Sequence, residues 1–171
     1  MKISFVSLVV MFMYLCFSSC NLNTNKSFFK KEFPIILQES PSDCGPVCLQ
    51  MISEYYGIDI TLDSLKKLSS FNSMQGTSFL GLSEACDSIG IKNLGIRVEY
   101  DSILKFYNPT IAHWEKNHFV VVYKMTKDSA WVADPAIGKV RYSKKEFCES
   151  WTQSEGNTTS EEGIMLLTEL K

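Results

Sequence analysis

The chain has 171 residues, 45% hydrophobic and 21% charged, a balance that suits one globular domain with a short N-terminal extension. Its formal net charge of -2, with no window that gathers Lys and Arg among aromatics, excludes a nucleic-acid binder that must neutralise phosphates. Cys16, Cys20, Cys44, Cys48, Cys86 and Cys148 make no convincing disulfide framework, and with only two histidines no zinc spacing emerges, so neither metal nor cofactor is expected.

Residues 1–20 open with Lys2, continue as an apolar run from Ile3 to Phe17 and close on Ser18-Ser19-Cys20. The run is short for a spanning helix and has the shape of a signal peptide. The final cysteine resembles a bacterial lipoprotein cleavage box, which makes Cys20 the expected lipidation site. Phe17 departs from that box, where an aliphatic residue is usual. The alternative is an uncleaved signal anchor. Lys26, Lys30 and Lys31 would then place the following domain in the cytoplasm. Residues 21–33 read as a polar tether, and residues 34–171 as the domain. The expected location is the extracytoplasmic face of a bacterial envelope, held by lipid or signal anchor.

Ser42-Asp43 marks a helix start, with Pro46 tolerated in the first turn. Val47, Met51, Ile52, Tyr55 and Tyr56 recur at helical spacing until Gly57 stops the helix. Thr61 to Leu68 and Ser78 to Ile89 read as two further helices, and a strand is expected over Leu94 to Tyr100. Thr110 to Trp114, His118 to Met125, Ala130 to Ala133 and Lys139 to Tyr142 are short, β-rich and separated by turn residues. Ser143 with Glu146 forms a capping box for a helix to about Trp151, and Gly163 to Leu170 is a last strand. Helices followed by antiparallel strands is the α+β order.

Cys44 falls at the start of the first of these helices, where exposed amides and the helix dipole favour a thiolate. The same amide end can hold an oxyanion, and Gln38, six residues upstream, offers a second donor. A thiol nucleophile needs a base, and the base needs an orienting partner. His118 opens an apolar strand, and Asp134 stands near the end of the next. His113 is the rival base, read as a structural histidine beside Trp114. Cys48, Cys86 and Cys148 read as core positions, with a Cys44–Cys48 disulfide as a lesser reading of Cys48.

The segment Gln38-Glu39-Ser40-Pro41-Ser42-Asp43-Cys44-Gly45-Pro46-Val47-Cys48-Leu49 resembles the active-site motif of the bacteriocin-processing cysteine peptidases. Those domains remove double-glycine leader peptides and are often fused to ABC exporters. Asn117-His118-Phe119-Val120-Val121-Val122 is similar to their histidine motif, and Asp134-Pro135-Ala136 with Gly138 to their aspartate motif. The likeness runs over roughly residues 34–152. It implies a papain-like fold with helices packed on an antiparallel sheet. It implies Cys44 as nucleophile, His118 as base, Asp134 as its orienter and Gln38 as oxyanion donor, acting on a peptide after a small pair such as Gly-Gly. A peptide with a leader is the implied partner, with a separate ABC exporter as a second one, since the domain is expected to stand alone. The competing reading is a leader-binding module with little catalysis. A third keeps the Cys-His chemistry for amide hydrolysis or transpeptidation.

Overall fold

Pro41–Asp43 makes a single 3-10 turn that runs straight into helix α1 (Cys44–Tyr56) in this computed structural model, which describes residues 32–115, 117–152 and 162–171. The N-terminal apolar run and Cys20 lie outside the described residues. Gly57 ends α1 in the left-handed region (φ +79), where its amide reaches back to the carbonyls of Ser53 and Glu54. Helix α2 (Leu62–Leu68) is capped by the Thr61 hydroxyl, which accepts from the Ser64 amide. Helix α3 (Phe79–Ser88) is capped in the same way by Ser78 and the Gly81 amide. These three helices fall where their start and stop residues predicted.

The strands are β1 (Ile91–Glu99), β2 (Thr110–Trp114), β3 (His118–Met125), β4 (Ser129–Asp134), β5 (Gly138–Ser143) and β6 (Glu162–Leu170). They form one sheet in the order β1-β6-β2-β3-β4-β5, antiparallel at every pairing. Two short helices interrupt them, α4 (Tyr100–Ile103) and α5 (Lys144–Thr152). The α+β, papain-like architecture expected from the sequence is the one observed, with the N-terminal helices laid on the sheet.

Both faces of the sheet are covered, which explains the unbroken apolar run in β3. Phe119 and Val121 enter the core shared with Val47, Leu49, Ile52 and Leu82 of the N-terminal helices. Val120 and Val122 point the other way, into a core with Phe147 and Trp151 of α5. Each fully buried valine of this kind stabilises the fold by about 1.5–3 kcal/mol. Phe33 also belongs to the first core, stacked 5.1 Å from the Tyr123 ring.

Helix α4 has no counterpart in the sequence reading, which expected a strand from Leu94 through Tyr100. The strand begins three residues earlier and stops at Glu99. Tertiary contacts decide this: Tyr100 and Ile103 are buried in the second core, and the Tyr100 hydroxyl donates to the Thr126 carbonyl at 2.8 Å.

Candidate active site

Cys44 is the first residue of α1 and only 5% exposed. The turn before it is closed by the Asp43 amide, which donates to the Ser40 carbonyl at 3.0 Å. Pro46 lacks an N–H, so the amide end of α1 is partly bare of donors that would need a cap. Gly45 is required by crowding. A Cβ there would collide with the Thr77 methyl and lie 3.3 Å from the Phe119 ring.

His118 is the first residue of β3 and Asp134 the last of β4. The antiparallel register, with Val121 opposite Ala133, brings the start of one strand beside the end of the other. His118 Nε2 and Asp134 Oδ1 stand 2.8 Å apart. The same carboxylate oxygen accepts the Ala136 amide at 2.8 Å, which fixes the side chain from its own turn. Gly138, at φ +102, closes that hairpin. With Nε2 committed to Asp134, Nδ1 is the ring nitrogen left for Cys44, which is near enough to raise the proton affinity of the ring.

Burial works to lower the His118 pKa, but hydrogen bonds and charge from Asp134 and Cys44 more than offset it and raise it to about 9. An imidazolium at neutral pH is the natural counter-charge for a thiolate. Asp134, 5% exposed, supplies the balancing negative charge on the far side of the ring.

Gln38 lies on the extended segment before the turn. Its backbone amide donates to the Pro135 carbonyl at 2.8 Å, which ties this segment to the aspartate turn. Its side-chain Nε2 donates to the Ser40 carbonyl at 3.0 Å, and its buried Oε1 has no hydrogen-bond partner.

A cleft of about 780 Å³ opens at Cys44. Its walls include Ser42, Gly76, Thr77, Phe79, His113 and Phe119. Among the described residues that line it, Cys44 and His113 are the titratable ones, and none is Asp, Glu, Lys or Arg. The wall contributed by residues 73–79 was missed from the sequence. Its signal was Gly76, which sits at φ +75 where a Cβ would lie 3.1 Å from the Ser42 carbonyl. His113 is also a wall residue, its ring centroid 5.8 Å from Phe79 and 5.4 Å from Phe119.

Cys48 lies fully buried one turn beyond Cys44, where its thiol donates to the Phe119 carbonyl at 3.2 Å. Burial, then the charges of Cys44 and Asp134, push this thiol well above its ordinary pKa, so it is a neutral core group. Cys44 and Cys48 are both free thiols. Cys86 is core as expected, whereas Cys148 is only half-buried. No helix among the described residues is long and apolar enough to cross a membrane.

The sequence pattern of the Peptidase C39 family matches residues 32–155. The chain is 36% identical over 124 residues to the lactococcin-G-processing and transport ATP-binding protein LagD of Lactococcus lactis, an overlap covering 69% of this chain and 18% of LagD. It thus spans about a fifth of the length of LagD and of the other bacteriocin transport and processing proteins it matches. Its fold is similar to that of a double glycine motif protease from an AMS/PCAT transporter, solved in complex with the leader peptide. That match has a TM-score of 0.72 at 28% identity and covers 82% of this chain and 93% of that one. The peptidase domain of Streptococcus ComA, a bifunctional ABC transporter, gives a TM-score of 0.70 at 26% identity, over 82% of this chain and all of that one (100%). By sequence pattern over most of its length and by fold, the chain belongs to the Peptidase C39 family.

Proposed function

We propose that this chain is a cysteine endopeptidase that cuts a precursor after a double-glycine-type leader. The observation that carries the reading is the His118–Asp134 pair at 2.8 Å, coupled to a Cys44 that lines a cleft with no Asp, Glu, Lys or Arg in its walls. Similarity to a protease of the double glycine motif supports the substrate class.

The proposed chemistry is acyl transfer. Cys44 and His118 rest as a thiolate–imidazolium pair, the Sγ proton carried on His118 Nδ1, and the thiolate attacks the carbonyl carbon. The oxygen becomes an oxyanion, held by the Cys44 amide and by the Gln38 Nε2–H. The C–N bond then breaks as the imidazolium gives its proton to the leaving amine. Water, deprotonated by the same ring, attacks the thioester, frees the leader acid and restores the ion pair. Asp134 keeps the ring oriented and its charge balanced throughout.

A synthetic precursor with a Gly-Gly leader, followed by mass spectrometry, tests this. Wild type should give two fragments cut after the second Gly. Cys44→Ala should give none while keeping its fold, and full turnover by that variant would end the proposal. A binding module without catalysis would retain the peptide uncut in both proteins.

The segment ahead of the domain supports a second part of the proposal. Residues 1–20 act as a signal, Cys20 carries lipid, and residues 21–31 tether the domain, whose packed part already includes Phe33, at the extracytoplasmic face of the envelope. Radioactive palmitate should label the wild type and not Cys20→Ala. Equal labelling of both, or none of either, would refute the lipid anchor.

A further inference from the structure

The residue before the nucleophile holds a charge that the mechanism above does not use. Asp43 is 3% exposed and occupies the N-cap position of α1, yet its side chain caps nothing. An N-cap aspartate ordinarily has extended backbone and accepts from the next turn. Here the backbone is helical (φ -80, ψ -5), and the carboxylate makes no capping bond to the helix. It turns to Lys66 of α2, whose Nζ stands 2.9 Å from Oδ1. No well-aligned hydrogen bond reaches that oxygen, so the ammonium meets it as charge on charge.

The ammonium is itself held in place. It lies 4.9 Å from the centre of the Phe71 ring, and its neighbour Leu65 is fully buried in the core that contains Cys44. The end of α2 also connects to the cleft wall. Thr77, whose methyl crowds Gly45, donates its hydroxyl to the Ser69 carbonyl at 2.7 Å. A single α2 lysine therefore bridges the turn that delivers the nucleophile and the helix that carries one wall.

We propose that Lys66 is a positioning residue for Cys44: it draws the Asp43 carboxylate off the amide end of α1 and cancels its charge one residue from the thiolate. This rests on Cys44 being the nucleophile, and the test reads thiol ionisation directly, so it is separable from any failure to cut a leader peptide. An unpaired carboxylate at that point would oppose a second negative charge, and an unpaired ammonium would favour it. The other titratable groups about the thiol are His118 from β3, Asp134 behind it on β4, Cys48 along α1 and His113 across the cleft on β2. They are common to every variant compared.

The experiment measures the rate of Cys44 alkylation by iodoacetamide as a function of pH, with the labelled residue identified by mass spectrometry. Lys66→Met should move the acid-side midpoint up by about one pH unit, equivalent to about tenfold slower labelling below it. Lys66→Arg should restore the wild-type midpoint. Asp43→Asn should move it in the opposite direction. Opposite signs from the two partners are what a merely structural ion pair would not produce. A folded Lys66→Met protein with the wild-type midpoint would overturn the proposal. Should Lys66→Met not fold, Asp43→Asn decides alone: a lowered midpoint supports the role, and an unchanged one refutes it.

Discussion

Asp134→Asn isolates the charge behind the imidazole without removing its hydrogen-bond acceptor. The Asn oxygen can still accept from His118 Nε2 and from the Ala136 amide, the two contacts that Asp134 Oδ1 makes at 2.8 Å. What disappears is the negative charge that holds His118 up at about 9 against burial. With that charge gone and only Cys44 left to oppose burial, the ring should titrate well below 9. The same change alters stability. A raised pKa contributes stability that is fully present below about 6.5 and lost as pH climbs through about 9, because the native state binds the proton more tightly across that window. At about 1.4 kcal/mol per pH unit the ceiling is ~3.4 kcal/mol. The His118 side chain is 22% exposed, and solvent screening there leaves about 1–2 kcal/mol. The chain has two histidines, so ring-proton NMR resolves each titration. Urea unfolding at pH 6 and pH 9.5 gives the stability difference. The wild type should lose about 1–2 kcal/mol between those pH values from this group, and Asp134→Asn should lose less of it. A His118 resonance that still titrates near 9 in Asp134→Asn would refute the assignment of its proton affinity to this carboxylate.

Gly45→Ala should force apart α1 and the Thr77 wall, costing about 1–3 kcal/mol in urea unfolding and slowing Cys44 alkylation at pH 7, since the added methyl enters the cleft mouth. Gly163→Ala drives a methyl into the Trp151 ring in the far core and should destabilise by a similar ~1–3 kcal/mol. It should leave the alkylation rate of the folded protein unchanged, and a slowed rate there would show that the two cores are coupled through the sheet.

The local signals carried well because their causes are local. Gly57, Thr61 and Ser78 act within one turn of backbone, so their caps and stops are readable without any neighbour. The strand run in β3 was legible as a strand but not as a two-faced one. Continuous apolarity reports burial without saying what covers each side, and the second core around Phe147 and Trp151 appears only once α5 packs. Helix α4 escaped because Tyr100 and Ile103 favour no helix on their own and are held by tertiary contacts.

For the candidate site, the sequence by itself determined the cast. Cys44 at a helix start, His118 at the head of an apolar strand and Asp134 before a Pro-containing turn are all properties of short segments. Tertiary structure alone decided their company. The sheet register sets His118 against Asp134 at 2.8 Å, a pairing across 16 residues of chain that spacing does not specify. The fold also brought Lys66 to Asp43 and carried residues 73–79 beside Cys44 to make a cleft. Such contacts depend on how helices lie on the sheet, and that is settled by the shape of two buried cores rather than by any stretch of sequence.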